Sequence, residues 1–269
     1  MTAFAYHLGF DFRTGIRNKT QMFLFYLFPL AMYLMMGAIM PGLNSYFLDV
    51  MVPAMVTFAV LAATLLGIPE LLVNARENGI FRSYKINGVP VTSILFIPAL
   101  TTALHVSIVS LIIVVTAPLL FDAPLPDNWL GFAVVFLALA FACSGVGVLI
   151  GVISPDSRAS MLLSQLVFIP SMLIGGMMIP YDALEDGIDN VARLLPTTHA
   201  MNAFNGLAMG ETADFSAGGS IAILLVSGVL AFSLALYLFS WDRQNSTRRG
   251  HPALACLVLV PFIVGIILL

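Results

Sequence analysis

Six uninterrupted apolar stretches, each near or above the length that crosses a bilayer, constrain this chain more than any other feature. They fall near residues 21–40, 50–73, 93–121, 129–153, 161–179 and 220–241, bounded by charge, proline or glycine. A hydrocarbon core about 30 Å thick needs roughly 20 residues at 1.5 Å each. Within it every backbone amide must find its partner inside the segment, so these runs are helices. A barrel would need alternating polarity, which uniformly apolar runs lack. A shorter uncharged run, 253–269, is expected to form a seventh span despite Pro261 near its middle. The fold class is therefore an all-α polytopic membrane protein with six core transmembrane helices and a seventh at the C-terminus. With 60% hydrophobic and 9% charged residues, no polar block is long enough to fold separately, and 1–269 reads as one transmembrane domain.

Bases in short loops set the orientation. Arg13, Arg17 and Lys19 precede span one; Arg76, Arg82 and Lys85 separate spans two and three; Arg158 separates four and five; Arg243, Arg248 and Arg249 follow six. The alternate loops carry Asp49, Asp122, Asp127, Asp182, Glu185, Asp186, Asp189, Glu211 and Asp214, with Arg193 their only strong base. The amino terminus is thus expected in the cytoplasm, and the first span is uncleaved, since no A-x-A-like site follows it. Segment 1–19 places Tyr6, Phe10 and Ile16 among polar residues, which fits an interfacial helix or an ordinary basic flank equally well. The outer loop 181–219 is too long for a tight turn. Its apolar stretch 191–209 is expected to dip back into the membrane as a re-entrant segment.

Intramembrane chemistry would need paired acids, an H-E-x-x-H helix or a G-x-S-x-G elbow, and the spans carry none, so no catalytic residue and no metal ligand is assigned. The only lysines, Lys19 and Lys85, follow no glycine, so a phosphate-cradling loop is absent and the chain binds no cofactor of its own. Basic patches for nucleic acid are missing as well. Cys143 and Cys256 sit in apolar runs as small hydrophobes. His105, a dozen residues into span three, is expected to be a packing histidine bonded to a neighbouring helix, with a proton relay or substrate contact as its other use. Glu70, following Gly67 and Pro69, is expected to reach headgroups or pair with Arg76. Gly147 and Gly151 form a G-x-x-x-G pair whose expected use is packing within the chain.

The most informative segment is the cytoplasmic loop 74–91. Ile80, Phe81, Tyr84 and Ile86 give a short helix an apolar edge, while Arg76, Glu77, Arg82 and Lys85 supply charge-assisted bonds. A positive-inside anchor explains the arginines but not Glu77, Gly79 and four large apolar residues. A docking surface for another protein explains all of them.

Glu77-Asn78-Gly79 followed by a basic stretch and Val89-Pro90 resembles the second-span loop of the membrane subunit of an ABC exporter, type-two permease family (the drug and polysaccharide exporter class). Gly175-Gly176-Met177-Met178-Ile179-Pro180 and Leu195-Pro196-Thr197-Thr198 are similar to that family's fifth-span ending and its later Pro-Leu-Thr-like motif. The resemblance runs over roughly 20–241. Two departures stand out: His199 where an aromatic is usual, and the tail 253–269 beyond six helices. It implies a permease in a multi-pass bacterial or archaeal cell membrane, paired with a second permease, identical or paralogous, and with separate ATP-binding cassette subunits that hold ATP and Mg. Arg76, Glu77, Gly79, Phe81, Arg82, Tyr84 and Lys85 would couple to the ATPase. Thr57 and Phe58 of span two and Met172, Gly175, Gly176, Met177 and Met178 of span five would line the path of a small amphipathic compound, lipid or peptide. Pro196, Thr197, Thr198 and His199 would form the outer re-entrant element. The alternative is a stand-alone channel or secondary transporter without an ATPase.

Overall fold

The computed structural model describes residues 3–44, 46–185, 187–242 and 250–268, and among these every regular element is helical. Asp186 and the bases Arg243, Arg248 and Arg249, expected on the cytoplasmic side, lie outside the described residues. Six helices are long and apolar enough to cross a membrane: Lys19–Gly42, Phe47–Glu77, Val91–Phe121, Trp129–Ile153, Ser157–Ile174 and Ala217–Leu238. They are called spans one to six. A short loop helix, Ile80–Ile86, joins spans two and three. An inserted helix, Pro196–Leu207, enters the bundle between spans five and six at the opposite end. At about 18 Å it is too short to cross a bilayer.

Span two is the axis of the bundle: 94% of its apolar window is buried, against 22% in spans one and five. Helices in lipid gain nothing from exchanging tails for leucines, so close approach through small residues decides which pairs form. A side chain on Gly147 would strike the Thr64 carbonyl of span two. One on Gly151 would lie 3.0 Å from Leu72 Cβ and 3.1 Å from Pro69 Cα. The G-x-x-x-G pair of span four therefore seats span two of the same chain. Span six approaches the other face of span four just as closely, with Gly145 facing the Gly228 carbonyl at 3.1 Å from where a Cβ would stand.

Spans one and two each contain a widened π-helical stretch, Phe23–Leu27 and Ala62–Gly67. Each lies just ahead of a proline, Pro29 and Pro69. A proline ring clashes with the carbonyl four residues earlier and gives it no N–H, and a wider turn relieves the clash. The two stretches pack together through Phe25, whose ring lies against Gly67.

The amino-terminal segment is a helix, Ala3–Arg17, with Tyr6 and Phe10 exposed and its other face on span three. There Asp11 accepts a 2.6 Å hydrogen bond from Thr101, and Phe12 stacks on His105 with ring centroids 4.2 Å apart. Burial raises the Asp11 carboxyl above its ordinary pKa, opposed by the Thr101 hydrogen bond and the charge of His7. His105 Nδ1 also meets the Tyr26 hydroxyl at 2.7 Å, so this histidine ties spans one and three to the amino-terminal helix.

The tail is helical over Pro252–Leu268, eight residues of 3₁₀ followed by nine of α-helix. At roughly 2.0 and 1.5 Å per residue these reach about 30 Å, more than an all-α tail would. Pro261 is the second residue of the α segment, where no donor is needed, so it restarts the helix without the lost bond that a mid-helix proline entails. The tail runs antiparallel to span six. Gly250 lies beside Tyr237 and Leu238 at one end, Gly265 beside Ile223 and His199 at the other.

Gly147→Leu should force spans two and four apart and destabilise by about 3 kcal/mol, the upper part of the range for overpacking. Gly218→Leu, where nothing lies within 4 Å, should leave the melting temperature unchanged. Thermal unfolding of the purified proteins in detergent, followed by intrinsic fluorescence, checks the pair.

Candidate coupling surface and outer cavity

Span two continues as helix to Glu77, so the first residues of the 74–91 loop belong to it. The chain then reverses at Gly79, whose φ of 74° is the left-handed conformation that glycine adopts without strain. The loop helix ends in a Schellman motif. The Val89 N–H donates to the Tyr84 carbonyl at 3.0 Å, the Gly88 N–H to Lys85 at 3.2 Å, and Gly88 takes a φ of 70°. Spans two and three are 31 residues each, about 46 Å long, and overshoot a 30 Å core. Whatever tilt does not absorb carries the loop helix clear of the hydrocarbon.

The seven residues assigned to this surface divide sharply. Arg76 is 6% exposed, and its guanidinium donates to the carbonyls of Val152, at 3.0 Å, and Ser154, closing the open end of span four. Phe81 is 3% exposed and packs on Phe239, centroids 5.5 Å apart. Both were expected on an outward face. The physical reason is that the free carbonyls ending span four need a donor, and Arg76 lies within reach of them. Tyr84 is half-buried, edge-on to His7 at 5.6 Å. Arg82 donates through Nη2 to both Asp242 carboxylate oxygens, at 2.9 and 2.7 Å, and that hydrogen bond and charge hold its pKa above the ordinary value. Glu77 accepts from Ser157 at the start of span five, 3.1 Å away. Outward remain Glu77, Ile80, Arg82, Lys85 and Ile86, the last 86% exposed. The seven-residue helix is thus tied to the amino-terminal helix through Tyr84 and to the segment just after span six through Phe81 and Arg82, while the adjoining end of span two is tied to spans four and five through Arg76 and Glu77.

At the opposite end, span five stops at Ile174 rather than running to 179. Gly175 to Ile179 are bent, with Gly176 at a φ of 82°, so Gly175, Gly176, Met177 and Met178 belong to an unwound segment and not to a span. Apolar composition hid the break. Thr197 replaces the missing helical donor, reaching the Ser171 carbonyl at 3.3 Å. Thr198 donates to Ala192 at 2.6 Å, and His199 Nε2 lies 2.9 Å from the Arg193 carbonyl. Pro196 and these three residues are all buried. Asn202, which the sequence did not single out, brackets Phe215 with two hydrogen bonds, 2.9 Å from the amide nitrogen and 3.2 Å to the carbonyl oxygen, and meets Ser220 at 3.0 Å. Arg193 lies over Phe215 at 4.6 Å and donates to the Tyr181 hydroxyl at 2.8 Å.

Gly176, Met177, Met178 and Thr198 come together with Met201 and Asn202 around a cavity of about 90 Å³. Thr57 and Phe58 sit deeper. Thr57 reaches Met201 sulfur at 3.7 Å, and Phe58 is clamped between Phe28 and Phe168 at 5.4 and 5.9 Å. Both are buried by the chain's own helices. Met172 is half-buried on span five.

Six apolar spans about a buried axis, with no group of three or more potential metal ligands among the described residues, define a polytopic helical membrane protein whose conspicuous surface is an exposed, multiply tethered loop helix. The sequence profile described as ABC-2 type transporter matches residues 3–209, and the chain belongs to that family. The match takes in the amino-terminal helix, ahead of residue 20, and ends before span six. A similar curated protein is ABC transporter G family member 20 of Dictyostelium discoideum. The two are 24% identical over 209 residues, 77% of this chain and 28% of the relative, so the chain spans little more than a quarter of that protein's length. No solved structure matches the chain.

Arg76→Ala should leave two buried carbonyls without their charged donor and cost about 3 kcal/mol, whereas Lys85→Ala, at an exposed position, should cost under about 0.5 kcal/mol. Chemical unfolding in detergent micelles distinguishes them.

Proposed function

We propose that this chain is the permease subunit of an ATP-driven exporter, working as one of two permeases above two separate ATP-binding cassette subunits that carry ATP and Mg. The observation that supports this best is the exposed loop helix, held by Phe81 and Arg82 to Phe239 and Asp242 just beyond span six, next to the end of span two, whose Arg76 and Glu77 bond to the ends of spans four and five. Positive charge in the short loops supports a cytoplasmic side for that end and for the amino terminus, and the family reading puts the protein in a bacterial or archaeal cell membrane. The inserted helix then lies on the outer side, and the tail crosses to leave the carboxyl terminus outside.

An ATPase closing beneath the loop helix would move it as a lever. Displacement would reach span four through Arg76, span five through the Ser157–Glu77 bond, and span six through Phe239 and Asp242. Two discrete arrangements of these spans, biased by ATP binding, suffice for alternating access. The path runs between spans two and five, so Phe58 meets cargo only when span five parts from span two, and Thr57 only when the inserted helix also moves away with Met201. The outer cavity at Gly176, Met177 and Met178 is its closed exit. Cargo is a small amphipathic compound, lipid or peptide, and membrane lipid surrounds the assembly.

Two substitutions on the outward face test this. Ile86→Asp places a carboxylate where an apolar contact with the ATPase would be buried, and Glu77→Lys reverses a charge and breaks the tie to span five. In proteoliposomes holding both subunits, each should lower permease-dependent stimulation of ATP hydrolysis about tenfold, the equivalent of 1.4 kcal/mol. Full stimulation and export in both variants would remove the docking assignment.

A further inference from the structure

A second cavity lies near the cytoplasmic third of the bundle, between spans one, two and five, with a volume of about 290 Å³. Its position follows from the two widened helical turns. Leu24 belongs to the π stretch of span one and Leu66 to that of span two, and both line the cavity. Where these wider turns meet span five, a space remains. Such widened turns recur at functional sites because they interrupt the regular packing of a helix face.

The lining is two-sided. Leu24, Leu66 and Met161 give apolar wall, while Glu70, Asn74, Ser164 and Gln165 give polar wall. Glu70 is the one ionisable side chain in the lining, and no base lies among its residues. Arg76, the partner expected from sequence, donates to the carbonyls of span four, and Arg82 pairs with Asp242. Glu70 lies seven residues from the end of span two, and Ser164 seven from the start of span five, each about 10 Å into the helix. Met161, 66% exposed, stands at the rim, so the cavity opens sideways toward lipid. Span two overshoots the hydrocarbon at this end, so Glu70 stands near its edge, where an ionisable group ordinarily pairs with another charge, reaches headgroups or marks a pathway. Here the pairing group is not in the described chain.

We propose that this cavity is the inlet for cargo from the inner leaflet, and that Glu70 selects amphipathic cations by acting as their counter-ion. This rests on the export reading above and names the substrate class within it. The apolar part of such a molecule fits against Leu24, Leu66 and Met161, and its ammonium or phosphonium centre sits at the Glu70 carboxylate. Asn74 and Gln165 serve neutral polar groups.

The test uses two hydrophobic ions of equal size and opposite charge, tetraphenylphosphonium and tetraphenylborate, with the full chain in phosphatidylcholine nanodiscs, with and without the ATPase subunit. Equilibrium dialysis against empty nanodiscs isolates binding to protein. The chain should bind the cation saturably and at least tenfold more tightly than the anion. Glu70→Gln should weaken cation binding tenfold or more, Glu70→Asp less than threefold, and Ser164→Trp, which fills the cavity, should abolish it. Equal binding of both ions, or cation binding unchanged in Glu70→Gln, overturns the proposal. Failure of the exporter reading shows separately, as charge-selective binding by the chain together with an ATPase subunit that neither associates nor responds.

Discussion

The enclosure of span two is the constraint on which the rest of the structure depends. A helix buried on all sides in a membrane protein is held by closeness rather than by expulsion of water, so its neighbours must be small where they touch it. Gly147 and Gly151 supply that seam on span four, and Gly67 admits the Phe25 ring from span one. Because span two is locked in the middle, the elements at its two ends act on opposite sides of one body. The loop helix follows its Glu77 end after the Gly79 turn, and the inserted helix packs against its other half through Thr57 and Met201.

The buried guanidinium of Arg76 shows how a transporter loop is made stiff. A surface arginine is screened and mobile, while one closed over the last carbonyls of span four fixes the angle between two spans and the loop. Phe81 on Phe239 and Ser157 on Glu77 add ties to spans six and five. A push on a floppy loop would dissipate locally. A push on this one has few ways to go except into the spans.

Much of this was legible in the residues. The fourth span was read at 129–153 and is Trp129–Ile153, because Asn128 caps its start and polar residues follow its end. The fifth was read to 179 and stops at Ile174, because hydropathy does not register that Gly176 leaves helical geometry. The short tail was read as marginal in length, and its 3₁₀ half makes it longer. Arg76 and Phe81 were placed outside because the groups that draw them inward, Val152, Ser154 and Phe239, are more than 70 residues away in sequence. Glu70 was read as reaching headgroups or pairing with Arg76. The cavity it lines needs span one, span five and two proline-induced wide turns, none of which a local pattern reports.

The central claim is that the loop helix is where an ATP-binding subunit docks. Its most direct test is cross-linking from a single cysteine at position 86, in a chain whose Cys143 and Cys256 have been replaced, in inverted membrane vesicles that also carry the ATPase subunit. A short bifunctional maleimide should join the two proteins in high yield, and ATP should change that yield. A cysteine at position 86 that never joins the ATPase, and that reacts with an impermeant maleimide added to intact cells, would contradict the account.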